Sequence, residues 1–74
     1  MKLNEFLNLL EENQIYYKLN KVRAEAIMVE VAVPGERWEI EFSDEGTIEI
    51  EKFTSDGKIY SEAELDVLLR DFSD

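Results

Sequence analysis

Cysteine and histidine are both absent from these 74 residues. Without cysteine there are no disulfides, no thiolate nucleophile and no zinc–sulfur site, a composition suited to a reducing compartment. Without histidine the commonest base and metal ligand at neutral pH is missing, and serine–histidine or cysteine–histidine catalysis cannot be assembled within the chain. Proline occurs once and glycine three times, so backbone punctuation is confined to a few places. Long apolar runs are lacking as well. The leucines of MKLNEFLNLLEE are interrupted by Glu5, Glu11 and Glu12, which leaves neither a secretory core nor a membrane span and makes the cytoplasm the expected location. Positive charge is scarce: 8 basic residues face 18 acidic ones, for a formal charge of -10. That balance opposes binding to phosphate backbones or anionic membranes and favours basic partners.

What is present reads as one small α+β domain spanning residues 1–74. A chain of this length has room for a single core that contributes only a few kcal/mol net, so each apolar position counts. Leu3, Phe6, Leu7 and Leu10 recur at helical spacing, with Asn4 as N-cap, and predict an amphipathic helix through about Asn13. Ile15, Tyr17 and Leu19 alternate with Tyr16 and Lys18 as in a strand, and Asn20 to Ala24 reads as a wide connection. From Glu25 to Val33 the alternation returns, followed by a Pro34-Gly35 turn whose proline and glycine suit the two central positions of type II.

That turn sets a register. With Val33 opposite Glu36, Val31 meets Trp38, Val29 meets Ile40 and Ile27 meets Phe42, all on one face; a one-residue slip would set them against charges. A three-residue Asp44-Glu45-Gly46 loop with glycine at its left-handed position pairs Ser43 with Thr47. Phe42 then meets Ile48 and Ile40 meets Ile50. Asp56-Gly57 marks a further turn, after which Lys58 to Tyr60 is read as a brief edge strand. Ser61-Glu62-Ala63-Glu64 has the form of a capping box, with a staple between Tyr60 and Leu65, opening a helix striped by Leu65, Leu68, Leu69 and Phe72. The expected architecture is a two-layer sandwich, α-β-β-β-β-α: an antiparallel meander of about four strands with both helices on its apolar face.

The other face carries the candidate site. The registers place Glu30 opposite Glu39, Glu39 opposite Glu51, and Glu41 opposite Glu49, with Arg37 beside Ala32 as the one definite cation and Lys18 as a possible addition from the first strand. Like charges directly opposite in a sheet cost up to about 1 kcal/mol per pair. One reading is that glutamate simply keeps an acidic protein in solution. The functional reading is a docking face for a basic protein, formed by Glu30, Glu39, Glu41, Glu49 and Glu51, where complementary potential speeds encounter. The alternative is association, including self-association, through an apolar patch or sheet edge near Tyr16 or Phe53. A carboxylate-pair enzyme is the remote option, because an exposed sheet face supplies no desolvating cleft.

No catalytic, cofactor-binding or metal-binding residue is therefore assigned, and the oligomeric state is left open. Asp44-Glu45-Gly46 and Ser55-Asp56-Gly57 lack the alternating oxygen ligands and distal glutamate of a calcium loop and are read as turns. Trp38 is in phase with Ile40 and Phe42, which makes it core rather than a nucleic-acid stacking platform.

The stretch PGERWEIEFSDEGTIEIEKFTSDGKI, Pro34 to Ile59, followed by SEAELDVLL, resembles short acidic bacterial proteins of uncharacterised function. The resemblance covers most of the chain and implies a bacterial origin rather than an activity. In size and charge alone the chain is also similar to immunity partners of bacterial toxins, an analogy that assigns no binding residue.

Overall fold

A computed structural model describes residues 1–53 and 59–72. Helix α1 (Leu3–Glu12) leads into strands β1 (Tyr17–Arg23), β2 (Ala26–Val33), β3 (Glu36–Ser43), β4 (Ile48–Phe53) and β5 (Ile59–Tyr60), and helix α2 (Glu64–Phe72) follows. The strands form one antiparallel sheet in the order β1-β2-β3-β4-β5. Phe6 and Leu10 of α1 and Leu65 and Leu68 of α2 join the same core cluster as Val29, Val31, Trp38, Ile40, Phe42 and Ile50. Both helices therefore cover one face of the sheet. The α+β architecture is that expected from the sequence, with the brief fifth strand at the edge.

The two turns act as the registers require. Gly35 and Gly46 have φ of 78° and 86°, values that a residue with a Cβ adopts only at a cost. Val33 lies opposite Glu36 and Val31 opposite Trp38, and on the other side of β3 Ile40 meets Ile50 and Phe42 meets Ile48. The second turn is closed by Ser43, whose N–H donates to Thr47 O at 3.0 Å and whose Oγ accepts from Thr47 N at 3.0 Å. Ile27 and Ile48, both expected inside, are only half-buried. The sheet's inner face is thus sealed along the middle of β2, β3 and β4 and less so at their Ile27–Ile48 end.

Local details differ from expectation at three places. The helix starts at Leu3, not after an Asn4 cap: Lys2 is the N-cap residue, and its backbone N–H donates to Glu5 Oε1 at 3.3 Å. The helix ends where Gln14 turns left-handed at φ 58°, with Asn13 Nδ2 donating to Leu9 O at 2.8 Å. The stretch from Asn20 to Ala24 is no wide connection. Strand β1 runs to Arg23, its register shifts between Asn20 and Arg23, and the chain turns at Ala24-Glu25. A bulge resolves what periodicity could not, because one inserted residue breaks the period-2 signal.

The third difference is at α2. Regular helix begins at Glu64 rather than just after Ser61, preceded by a turn in which Glu64 N–H donates to Ser61 O at 3.0 Å. The Glu64 carboxylate accepts from Lys52 Nζ at 2.8 Å instead of closing a box on Ser61. A cation on the neighbouring strand outcompetes a neutral backbone donor, as charge-assisted hydrogen bonds do. Tyr60 and Leu65 both join the core. The Asp56-Gly57 turn, Lys58 and the Phe72 side chain lie outside the described residues and positions.

Candidate functional site

Side chains alternate across a strand, so fixing Trp38, Ile40 and Phe42 inside forces Arg37, Glu39 and Glu41 outside. The same holds for Glu49 and Glu51 on β4 and for Met28, Glu30 and Ala32 on β2. The pairings Glu30 with Glu39, Glu39 with Glu51, and Glu41 with Glu49 are all present. Lys18 joins the face from β1, opposite Glu30.

These glutamates do not form one uniform row. Glu39, Glu41, Glu49 and Glu51 surround a shallow depression of about 120 Å³ beside Met28. Glu30 belongs to a neighbouring hollow of about 220 Å³, which it shares with Tyr16, Lys18, Ala32 and Arg37. There it accepts from Asn20 Nδ2 at 3.2 Å. The outer face is therefore divided into an acidic part toward β4 and a mixed part toward β1. Both hollows are smaller than the roughly 300–1,000 Å³ of small-molecule clefts. Among the described residues, no three carboxylates are placed to hold a metal ion.

Arg23 is the main addition to the sequence reading. It lies at the bulge of β1, in register with Ala26, and its guanidinium reaches β3. Nε donates to Glu41 Oε2 at 3.0 Å and Nη2 pairs with Glu41 Oε1, while Glu49 Oε1 lies 3.9 Å away. The hydrogen bond to Glu41, then the charges of Glu41, Glu25 and Glu49, raise the Arg23 pKa against the opposing effect of desolvation, keeping it a permanent cation. Arg37 Nη2 stands 3.7 Å from Glu39 Oε2, and its guanidinium carbon lies 4.4 Å from the Phe53 ring centroid. The face thus has Arg23 as well as Arg37 and Lys18. Periodicity does not place Arg23, because Asn20–Ala24 has no strand phase from which to assign its side.

After these pairings, unequal charge remains. Glu41 is 11% exposed and held by a two-point arginine contact, whereas Glu49 is 62% exposed and reached only by the longer contact. Glu51 has no ion pair among the described residues, and Glu39 stands directly across from it. Replacing Glu51 with lysine is therefore expected to leave stability unchanged or raise it by up to about 1 kcal/mol, because a like-charge contact becomes an opposite one. Arg23→Gln, by contrast, should lower stability by leaving Glu41 without its cation. Parallel urea unfolding of the two variants checks both signs.

No family model, curated protein or solved structure matches the chain. No helix among the described residues is long and apolar enough to cross a membrane.

Proposed function

We propose that the chain is a small non-enzymatic interaction domain whose outer sheet face docks a basic segment of a protein partner. The carrying observation is the acidic depression on β3 and β4, where Glu39, Glu41, Glu49 and Glu51 converge and, among the described residues, only Glu41 is fully engaged by a cation. Carboxylates held opposite one another carry an electrostatic cost in the free domain, and a basic group placed among them removes it. Glu49 and Glu51 supply the accessible charge, Glu39 the centre, and the Arg23–Glu41 pair a rigid border. Glu30, set among Lys18, Arg37 and Asn20, contributes least. The overall charge of -10 adds long-range attraction for a basic surface and repulsion of acidic ones. Shallow relief supports protein docking over small-molecule chemistry. The lack of cysteine is in keeping with a cytoplasmic setting.

Affinity capture from the source cell, followed by titration of the recovered partner, tests this reading. Wild type and a Glu49→Gln/Glu51→Gln variant are compared at low and physiological salt. The expected result is a basic partner whose binding weakens with salt and falls about tenfold or more in the variant, chiefly through slower association. Recovery of the basic partner equally by both forms and at either salt would remove the acidic depression as the binding site.

A further inference from the structure

Strand β1 differs in chemistry from the rest of the molecule. Its sequence YKLNKVR holds three of the chain's eight basic residues and no acidic one. It forms one end of the sheet, with β2 on one side and, among the described residues, no strand on the other. Alternate backbone N–H and C=O groups of an edge strand point away from the sheet and are free to pair with an added strand. The opposite edge is occupied over Ile50 and Glu51 by β5.

The side chains along β1 are unusually open. Leu19 and Val22 are 53% and 54% exposed, and Tyr16, just before the strand, is 66% exposed. Leu19 is in register with the buried Val29, so it stands on the apolar face that the helices cover elsewhere. Neither Leu19 nor Val22 belongs to the buried core cluster or to the partly buried side chains around it. The helical layer therefore stops short of this edge and leaves an apolar strip. On the other face, exposed Lys18 has no carboxylate ion pair among the described residues. Lys21 is directed to the turn, where Nζ donates to Arg23 O at 3.2 Å and Ala24 O at 2.7 Å. These acceptors are neutral carbonyls, and no carboxylate among the described residues forms an ion pair with it.

We propose that the Tyr17–Asn20 stretch of β1 accepts an extended acidic segment of another protein as a sixth strand. The bulge between Asn20 and Arg23 limits regular pairing to that stretch. Face alternation then fixes the ligand's pattern: apolar residues beside Leu19 extend the inner face, and carboxylates beside Lys18 extend the outer one. A second copy is the wrong occupant. Antiparallel pairing of β1 with itself brings lysine-bearing strands together, and lysines on an edge are a device against such self-pairing. The same lysines attract an acidic strand. This surface is separate from the acidic depression on β3 and β4, and its partner has the opposite charge.

The test uses the whole chain labelled with nitrogen-15 and two capped seven-residue peptides, one alternating valine with glutamate and one alternating valine with lysine. The glutamate peptide is expected to shift and protect from exchange the amides of Tyr17 to Asn20, saturably, while the lysine peptide leaves them unchanged. Lys18→Glu should weaken glutamate-peptide binding about tenfold by turning an attractive cross-strand pair into a repulsive one, and Leu19→Ser should weaken it independently. Both residues are exposed, and far-UV circular dichroism establishes that each variant is folded. Equal effects of the two peptides, a response confined to β3 and β4, or undiminished binding by Lys18→Glu would overturn the proposal. So would sedimentation showing that the free chain dimerises through β1. The Glu49→Gln/Glu51→Gln variant should bind the glutamate peptide at least as well as wild type, which separates this outcome from the fate of the acidic docking face.

Discussion

Trp38→Ala is expected to lower the unfolding free energy by about 3–5 kcal/mol, the cost of a large-to-small change in a packed core. Trp38 is fully buried on the central strand β3 and is among the largest side chains in the core. Removing it opens a void between the sheet and helices that ridges such as Leu65 and Leu68 cannot fill without moving α2. Two polar groups are affected as well. Glu36 Oε1 accepts from the indole Nε1 at 2.9 Å, and Lys52 Nζ lies 5.0 Å from the ring centroid. The alanine variant leaves Glu36 without that donor and Lys52 without that aromatic face. A domain this small has only about 5 kcal/mol in reserve, so the variant should be largely unfolded at room temperature. Trp38→Phe separates the contributions: most of the volume stays, the hydrogen bond to Glu36 goes, and a loss of about 1–2 kcal/mol is expected. Urea denaturation followed by circular dichroism reads both. An alanine variant that keeps a cooperative transition within about 1 kcal/mol of wild type would show that the core is not organised around this residue.

The success of the sheet register follows from an economy of turn geometry. Pro34-Gly35 and Asp44-Glu45-Gly46 allow only one pairing each that keeps Trp38, Ile40 and Phe42 in phase with their neighbours, and the observed partners obey it. Once those residues point inward, the outward direction of Glu39, Glu41, Glu49 and Glu51 is fixed by the pleat. What alternation does not encode is where long side chains end. Arg23 sits beyond a bulge, so its side of the sheet depends on an inserted residue that leaves no periodic trace. Its reach to Glu41 turns part of a supposed row of repulsions into an ion pair. Glu64 illustrates the same gap at the other end of the chain. Ser61 and Glu64 have capping-box spacing, but Lys52 on β4 claims the carboxylate. Local sequence supplies the candidate partner, and tertiary structure supplies a stronger one.

The signal for Lys52 was present in the register. Continuing β4 from Ile48 and Ile50 by one more step puts Lys52 on the apolar face, directly opposite Trp38. A lysine there needs compensation, because a partly desolvated ammonium without a partner is costly. The fold provides it. Nζ donates to Glu64 Oε2 and lies 4.2 Å from the Tyr60 ring centroid in addition to facing Trp38. Its alkyl stem remains against apolar surface while the charged end is held, a common arrangement for a long amphipathic side chain. The pair joins β4 to the first residue of α2, so it anchors the helix whose Leu65 and Leu68 complete the core.

Lys52→Met, which retains much of the stem's packing and removes the charge, is therefore expected to destabilise by about 1–3 kcal/mol: the hydrogen bond to a charged group and the cation–π contacts are lost together. Glu64→Gln keeps an acceptor for Lys52 and should cost less. Hydrogen exchange in α2 should accelerate in Lys52→Met more than in the β2–β3 hairpin, since the lost contact is the helix's tie to the sheet. Alkaline pH gives an independent reading. The hydrogen bond to Glu64 raises the Lys52 pKa above its ordinary value of 10.5; burial opposes the shift, and the charges of Glu64, Tyr60 and Glu36 add to it. A pKa raised in the folded state means stability that is fully present below the unfolded value and is lost as pH rises through the folded one. The stability difference between wild type and Lys52→Met should accordingly be constant from about pH 7 to 9 and shrink above about pH 10.5. Taking the difference removes the parallel contribution of Tyr17, whose hydroxyl is also shifted upward by its hydrogen bond to Glu11. A difference that persists unchanged well above pH 11, or a methionine variant as stable as wild type at neutral pH, would show that α2 is held by apolar packing alone and that the lysine is incidental to it.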